Sequence, residues 1–214
     1  CNGWAANRAA TVALRHTAVV GKIDRQTPIL NSKIHEINLN PYWNAPESIV
    51  RRDIIPLMRK NPNYLAENNI RILGANGEVD PMAIDWSTEE AAQLRFRQDP
   101  GRINAMASFK INFHNPHAVY LHDTPHRDLF EKAKRDTSSG CIRVEHPLDL
   151  VELLFNDAQK WNRQAIDQRI DAKTTQNVTL PTAVPVLIAY WTVDIGDDGK
   201  LAYKPDVYDR DGAL

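Results

Sequence analysis

The chain has 214 residues, 43% of them hydrophobic and 25% charged, with a formal net charge of −1. That size fits one domain with an insertion, or two small ones, around a sizeable core. The near-neutral balance gives no basic surface for nucleic acid or for an anionic membrane. No apolar run approaches the roughly 18 residues that span a bilayer, so a soluble domain is expected.

The two cysteines, Cys1 and Cys141, are too few for a disulfide framework, and Cys141 is expected to be free. A chain that opens on Cys1 rather than Met is expected to lack an upstream piece. Lipidation of Cys1 stays open, because no signal peptide is in view.

Residues 9–23, rich in Ala and Val, read as a strand with Gly21-Lys22 as a turn, and Ser32–Leu39 as a half-buried strand carrying Ile34, Ile37 and Leu39. His35 within it reads as a structural or surface histidine. Asn40-Pro41-Tyr42-Trp43-Asn44-Ala45-Pro46 reads as a rigid loop, since proline fixes φ and removes a donor. Glu47–Lys60 has helical apolar spacing, broken by Pro56. A turn-rich connector at Asn61–Asn69, a short strand at Ile70–Leu73 and a turn at Gly74–Gly77 follow. A helix capped by Ser87 is expected next, ending near Asp99-Pro100-Gly101. The stretch 62–105 interrupts the strand pattern, as inserted lids or binding elements do.

Ala107–Phe113 and Ala118–Leu121 read as strands, the second delivering Tyr120 and His122 to a strand end. Phe130–Asp136 reads as a short helix or turn. Pro147–Trp161 reads as a helix with Leu148, Val151, Leu154, Phe155 and Ala158 on its core stripe. Asp167–Thr179 is polar and reads as exposed. Pro185–Val193, almost continuously apolar, reads as a central strand, turning at Asp197-Asp198-Gly199 into a hairpin with Leu201–Lys204. The acidic tail reads as turn caps, and no metal or other cofactor is expected.

The chemistry concentrates in Tyr120–Val144. His122 is followed nineteen positions later by Cys141, in the run Ser138-Ser139-Gly140-Cys141. A thiol attacks as thiolate, and a nearby imidazole is the usual means of producing one. Gly140 permits a sharp turn before the sulfur that would aim amide N–H groups at an oxyanion. The competing reading is a small buried hydrophobe.

His, fifteen residues, then Ser-Ser-Gly-Cys-Ile-Arg resembles the catalytic signature of the L,D-transpeptidase (YkuD-type) family. It is most similar to the large periplasmic branch typified by YcbB, which has Ser where smaller members have a second His. The Asn-Pro-x-Trp-x-x-Pro loop and the tail Pro205–Asp211 resemble that branch too. The resemblance implies a mixed α/β, mainly β fold. Residues 1–214 would form a β-sandwich-like catalytic domain, and 62–105 an inserted helical and loop capping subdomain.

It also implies an enzyme in which Cys141 attacks a peptidoglycan tetrapeptide stem, releases the terminal D-alanine and forms 3-3 cross-links through a thioester. His122 would be the base, with a pKa near neutral, its tautomer fixed by a backbone carbonyl for which Asp123 is nearest. Gly140 and Cys141 amides would form the oxyanion hole, Ser139 would shape the site, and Arg143, Tyr120 and Trp43 would contact substrate. For Arg143 a structural salt bridge is an equal alternative, and for Tyr120 and Trp43 a core or anchoring role. Carbapenems would acylate Cys141, and the full-length protein would be exported or membrane-anchored in the periplasm or cell envelope. Oligomeric state is not implied. Other acceptors, hydrolysis, lipoprotein anchoring and a non-catalytic wall-binding module remain the alternatives. A papain-like order is disfavoured because His122 precedes the cysteine, and a redox switch because no second cysteine stands nearby.

Overall fold

Alternation of apolar and polar residues builds a large sheet with one greasy and one polar face. The computed structural model of the chain describes residues 2–6, 11–196 and 198–213, so Cys1 and Asp197 of the expected turn lie outside the described residues. The chain runs through β1 (Asn2–Ala6), β2 (Val12–Gly21), β3 (Leu30–Leu39) and β4 (Trp43–Ala45). Next come α1 (Glu47–Ile49), a π-helical turn at Val50–Ile54, α2 (Ile55–Lys60) and α3 (Tyr64–Glu67). Strands β5 (Ile70–Gly74), β6 (Gly77–Val79), β7 (Arg95–Gln98) and β8 (Phe109–Phe113) follow. The short β9 (Leu121–His122), β10 (Asp136–Ser138) and β11 (Ile142–Val144) precede helices α4 (Pro147–Phe155) and α5 (Arg163–Asp171). The described chain closes with β12 (Gln176–Ile188), β13 (Val193–Ile195) and β14 (Leu201–Tyr203).

The large sheet has the order β1-β2-β11-β9-β8-β3-β12, with β10 beside β2. Ile34, Ile37 and Leu39 of β3 and Phe109, Ile111 and Phe113 of β8 bury one face under Val151, Leu154 and Phe155 of α4, Trp161, and Ile166 of α5. A second sheet, β4-β7-β5-β6, has its own core of Val50, Ile54, Ile55, Met58, Leu65, Ile70, Ile72, Ala91, Ala92 and Phe96. Each fully buried Val, Leu, Ile, Met or Phe side chain in these cores stabilises by about 1.5–3 kcal/mol. The unit around 62–105 therefore packs from Trp43 onward, earlier than the sequence places it. The fold is mixed α/β and mainly β.

Several expectations are corrected. The rigid loop at 40–46 contains β4, because Trp43–Ala45 finds cross-strand partners in β7. Pro56 does not break the 47–60 helix: a π turn, with the Ile55 N–H reaching the Val50 carbonyl, precedes it and places the proline in the first turn of α2, where its missing donor is harmless. The connector 61–69 holds α3. Ser87 caps no helix; its N–H and hydroxyl turn back to Asp85, and only a 3-10 turn at Glu90–Gln93 follows. Ala118 is left-handed (φ 53°) and no strand begins there, so Tyr120 lies just ahead of β9. Helix α4 stops at Asn156 in the left-handed region, leaving Ala158 exposed. The polar stretch after it forms α5, capped by Asn162. Finally β12 is an edge strand, with Leu187 67% exposed; Pro181 and Pro185 are tolerated there because an edge strand has no second neighbour to bond. The hairpin to Leu201–Tyr203 starts from β13.

Candidate active site

Cross-strand register lays the chemistry out in a row. On the polar face Arg143 of β11 stands opposite His122 of β9, His122 opposite Lys110 of β8, Lys110 opposite Asn38 of β3, and Asn38 opposite Asn177 of β12. Cys141 lies two residues before Arg143. The sequence brings these together because β8 alternates Phe109, Ile111 and Phe113 inward with Lys110 and Asn112 outward.

Cys141 is free and partly buried. Burial pushes the thiol pKa up, outweighing Tyr120 and the Lys110 and Arg143 charges, which act the other way. His122 is 6% exposed. Burial first, then the Arg143 and Lys110 charges, push its pKa down to about 3, which corrects the near-neutral value expected from sequence. Its Nδ1 lies 2.5 Å from the Asp123 carbonyl. A carbonyl only accepts, so Nδ1 carries the proton and Nε2 presents a lone pair. The expected orienting role of the Asp123 backbone thus has its geometry. The Asp123 carboxylate itself takes the Ser108 and Thr124 N–H groups and Arg127. No hydrogen bond joins Cys141 to His122 among the described residues; the Tyr120 ring lies 5.5 Å from that of His122. Such bonds often tighten only when substrate arrives.

Gly140 adopts φ +110°, closed to side-chain-bearing residues. Its N–H is used internally, donating to Ser138 Oγ at 3.1 Å, while the Ser138 hydroxyl donates to the Cys141 carbonyl. Gly140 therefore does not present the oxyanion donor expected of it. The Cys141 N–H has no acceptor among the described residues. Ser139 accepts from Arg25 at 2.8 Å, and Arg25 also pairs with Asp53 in the π turn. Trp43 packs on the second core and engages the Tyr120 hydroxyl, so it both anchors β4 and faces the site.

Arg143 has no salt bridge among the described residues, and its Nε is buried and unpartnered among them. His35 stacks on His114 at 4.1 Å, apart from the catalytic row.

Sequence reasoning missed Lys110, Thr27 and Tyr208. The strand alternation around Lys110 was a usable signal. Thr27 Oγ1 donates to the Gly140 carbonyl and accepts the Gly21 N–H, while the buried Tyr208 hydroxyl donates to the Gly21 carbonyl and accepts the Thr27 N–H. A Cβ at Gly21 would meet the Arg25 carbonyl at 2.0 Å, so only glycine fits this junction. No local pattern links residues 21, 27, 140 and 208.

Residues 4–160 match the model of the L,D-transpeptidase catalytic domain. The chain is also 36% identical over 206 residues to a candidate L,D-transpeptidase of Haemophilus influenzae, covering 95% of this chain and 42% of that protein. It thus spans less than half the length of that relative. Taken with the Ser-Ser-Gly-Cys turn and the histidine beside it, these matches mean that the chain belongs to the L,D-transpeptidase (YkuD) catalytic domain family, whose members act on peptidoglycan peptides.

Proposed function

We propose that this domain is a cysteine acyltransferase that forms 3-3 cross-links in peptidoglycan at the cell envelope. The observation that carries the reading is the His122 ring, held with Nδ1–H on the Asp123 carbonyl, on the strand paired with the one that follows Cys141. The resting pair is a neutral thiol and a neutral imidazole. Nε2 takes the thiol proton as the sulfur attacks the amide carbon that precedes the terminal D-alanine. Tyr120 and Arg143 hold the negative charge on sulfur. The Cys141 N–H and the Tyr120 hydroxyl are the donors for the oxyanion. His122 returns its proton to the departing D-alanine nitrogen, leaving a thioester. An amine from a second stem then attacks: the C–N bond forms, the C–S bond breaks, and the sulfur recovers a proton through His122. Arg143, half-enclosed and without an ion-pair partner among the described residues, suits a substrate carboxylate. The β4–β7 unit, tied to the site by Trp43 and by Arg25–Asp53, acts as the cap over the cleft.

The test is intact-protein mass spectrometry after incubation with a carbapenem, whose strained lactam the thiolate opens. Wild type is expected to gain one adduct and Cys141→Ala none. An unmodified wild type whose thiol also resists iodoacetamide would return Cys141 to a structural role.

A further inference from the structure

The polar face does not end at the catalytic row. Across β8, β3 and β12 it floors a cavity of about 490 Å³, rimmed by Tyr42 and Asn44. Three carboxamides from three adjacent strands form a ladder: Asn112 Nδ2 donates to Asn38 Oδ1 at 2.7 Å, and Asn38 Nδ2 to Asn177 Oδ1 at 2.8 Å. Glu36 Oε1 accepts from both Asn38 and Asn112, leaving Oε2 unclaimed among the described residues. Lys110, more than half enclosed, lies over the Tyr120 ring at 4.5 Å and has no carboxylate within ion-pair distance among the described residues. Glu36 and Lys110 are diagonal neighbours on antiparallel strands, about 7–8 Å apart at that position. Their charges are opposite, no ion pair joins them among the described residues, and both line the cavity.

We propose that this cavity is a substrate subsite that takes a zwitterionic amino-acid centre, its carboxylate on Lys110 and its ammonium on Glu36. The amide ladder fixes Glu36, the Tyr120 ring carries Lys110, and most of the lining side chains are polar. Strands β8 and β3 stand two and three places from β11, about 10–14 Å at 4.8 Å per strand. The centre bound there therefore belongs to a side arm of the peptide, away from the bond that Cys141 cleaves. Its place in the reaction rests on the proposed function; the binding itself does not.

The test uses Cys141→Ala protein, so that no chemistry intervenes, and follows the side-chain amides of Asn38, Asn112 and Asn177 by NMR. The probes are glycine, N-acetylglycine and glycinamide. Glycine is expected to bind about tenfold more tightly than either probe lacking one charge. Lys110→Gln should erase the preference over glycinamide, Glu36→Gln the preference over N-acetylglycine, and Lys110→Arg should keep it. Equal affinity for the three probes, or shifts elsewhere in the molecule, overturns the assignment, and that comparison needs no variant at the anchors. Peptides with the zwitterion blocked on one partner then separate the sources. Slower acyl-enzyme formation marks the donor arm, slower resolution marks the acceptor arm, and an effect on neither overturns the substrate role. Glycine binding without any acyl-enzyme in wild type would instead sink the proposed function and leave the site standing.

Discussion

The four-stranded unit and the large sheet handle charge in opposite ways. In the small unit Arg51 is shared by Glu47 and Glu89, and Arg71 by Asp99 and Glu78, all near the surface. Screened pairs of this kind contribute little, and the unit's stability comes from its apolar core. In the large sheet, Arg143 and Lys110 are enclosed and His122 is buried, with no carboxylate paired to them among the described residues. Enclosing such groups costs stability, and strongly perturbed groups collected in a cleft are what reacting sites require. One region is built to persist and the other to react.

The largest effect that would sharpen this contrast lies in the small core. Phe96 is 1% exposed and meets Trp86 edge-on. Phe96→Ala should cost about 3–5 kcal/mol in urea unfolding, while the folded fraction still takes up carbapenem at Cys141. Loss of adduct from folded protein would show that the two regions are not independent.

Next comes acid stability. Folded His122 titrates at about 3, an unfolded histidine at about 6.5. Between those values the unfolded chain binds a proton that the folded chain refuses. The His122 contribution is therefore complete above pH 6.5 and is lost as the pH falls toward 3. At pH 4.5 the loss is about 3 kcal/mol. His122→Gln should lose that much less than wild type between pH 7 and 4.5; parallel curves would place the histidine in solvent. Asp123, whose pKa burial raises, works in the other direction but is common to both proteins.

A smaller effect is expected at Tyr208. Tyr208→Phe removes one buried hydroxyl and should cost about 1–2 kcal/mol, with carbapenem acylation slowed because the Gly140 turn loosens. Acylation at the wild-type rate would make Tyr208 a core residue only. Smallest of all, Arg51→Ala should shift the urea midpoint by no more than experimental error; a large shift would mean that surface pairs do hold the small unit together.

What the sequence made legible follows from range. Ile34, Ile37 and Leu39 announce β3 by local alternation, and the His122 and Cys141 run is contiguous enough to read directly. Strand β4 was hidden because Trp43–Ala45 is a strand only by virtue of β7, some fifty residues away. The apolar run at Pro185 suggested a centre, although its prolines pointed to an edge. Helix α5 is polar on most of its surface and buries only Ile166, too little periodicity to stand out. At the site, the withdrawal of the Gly140 N–H depends on where one serine hydroxyl points, and the depressed histidine depends first on its burial and then on two cations delivered by other strands. Both are consequences of packing.

The tyrosine at position 208 has one more implication. The stretch that matches the family ends at residue 160, and it contains every group that would touch the thiol. Yet the turn that shapes the thiol is fastened from 48 residues beyond that limit. Where the family model stops and where a working unit stops are different boundaries here. A fragment trimmed to the first would keep the reacting groups and forfeit the clasp that sets their backbone.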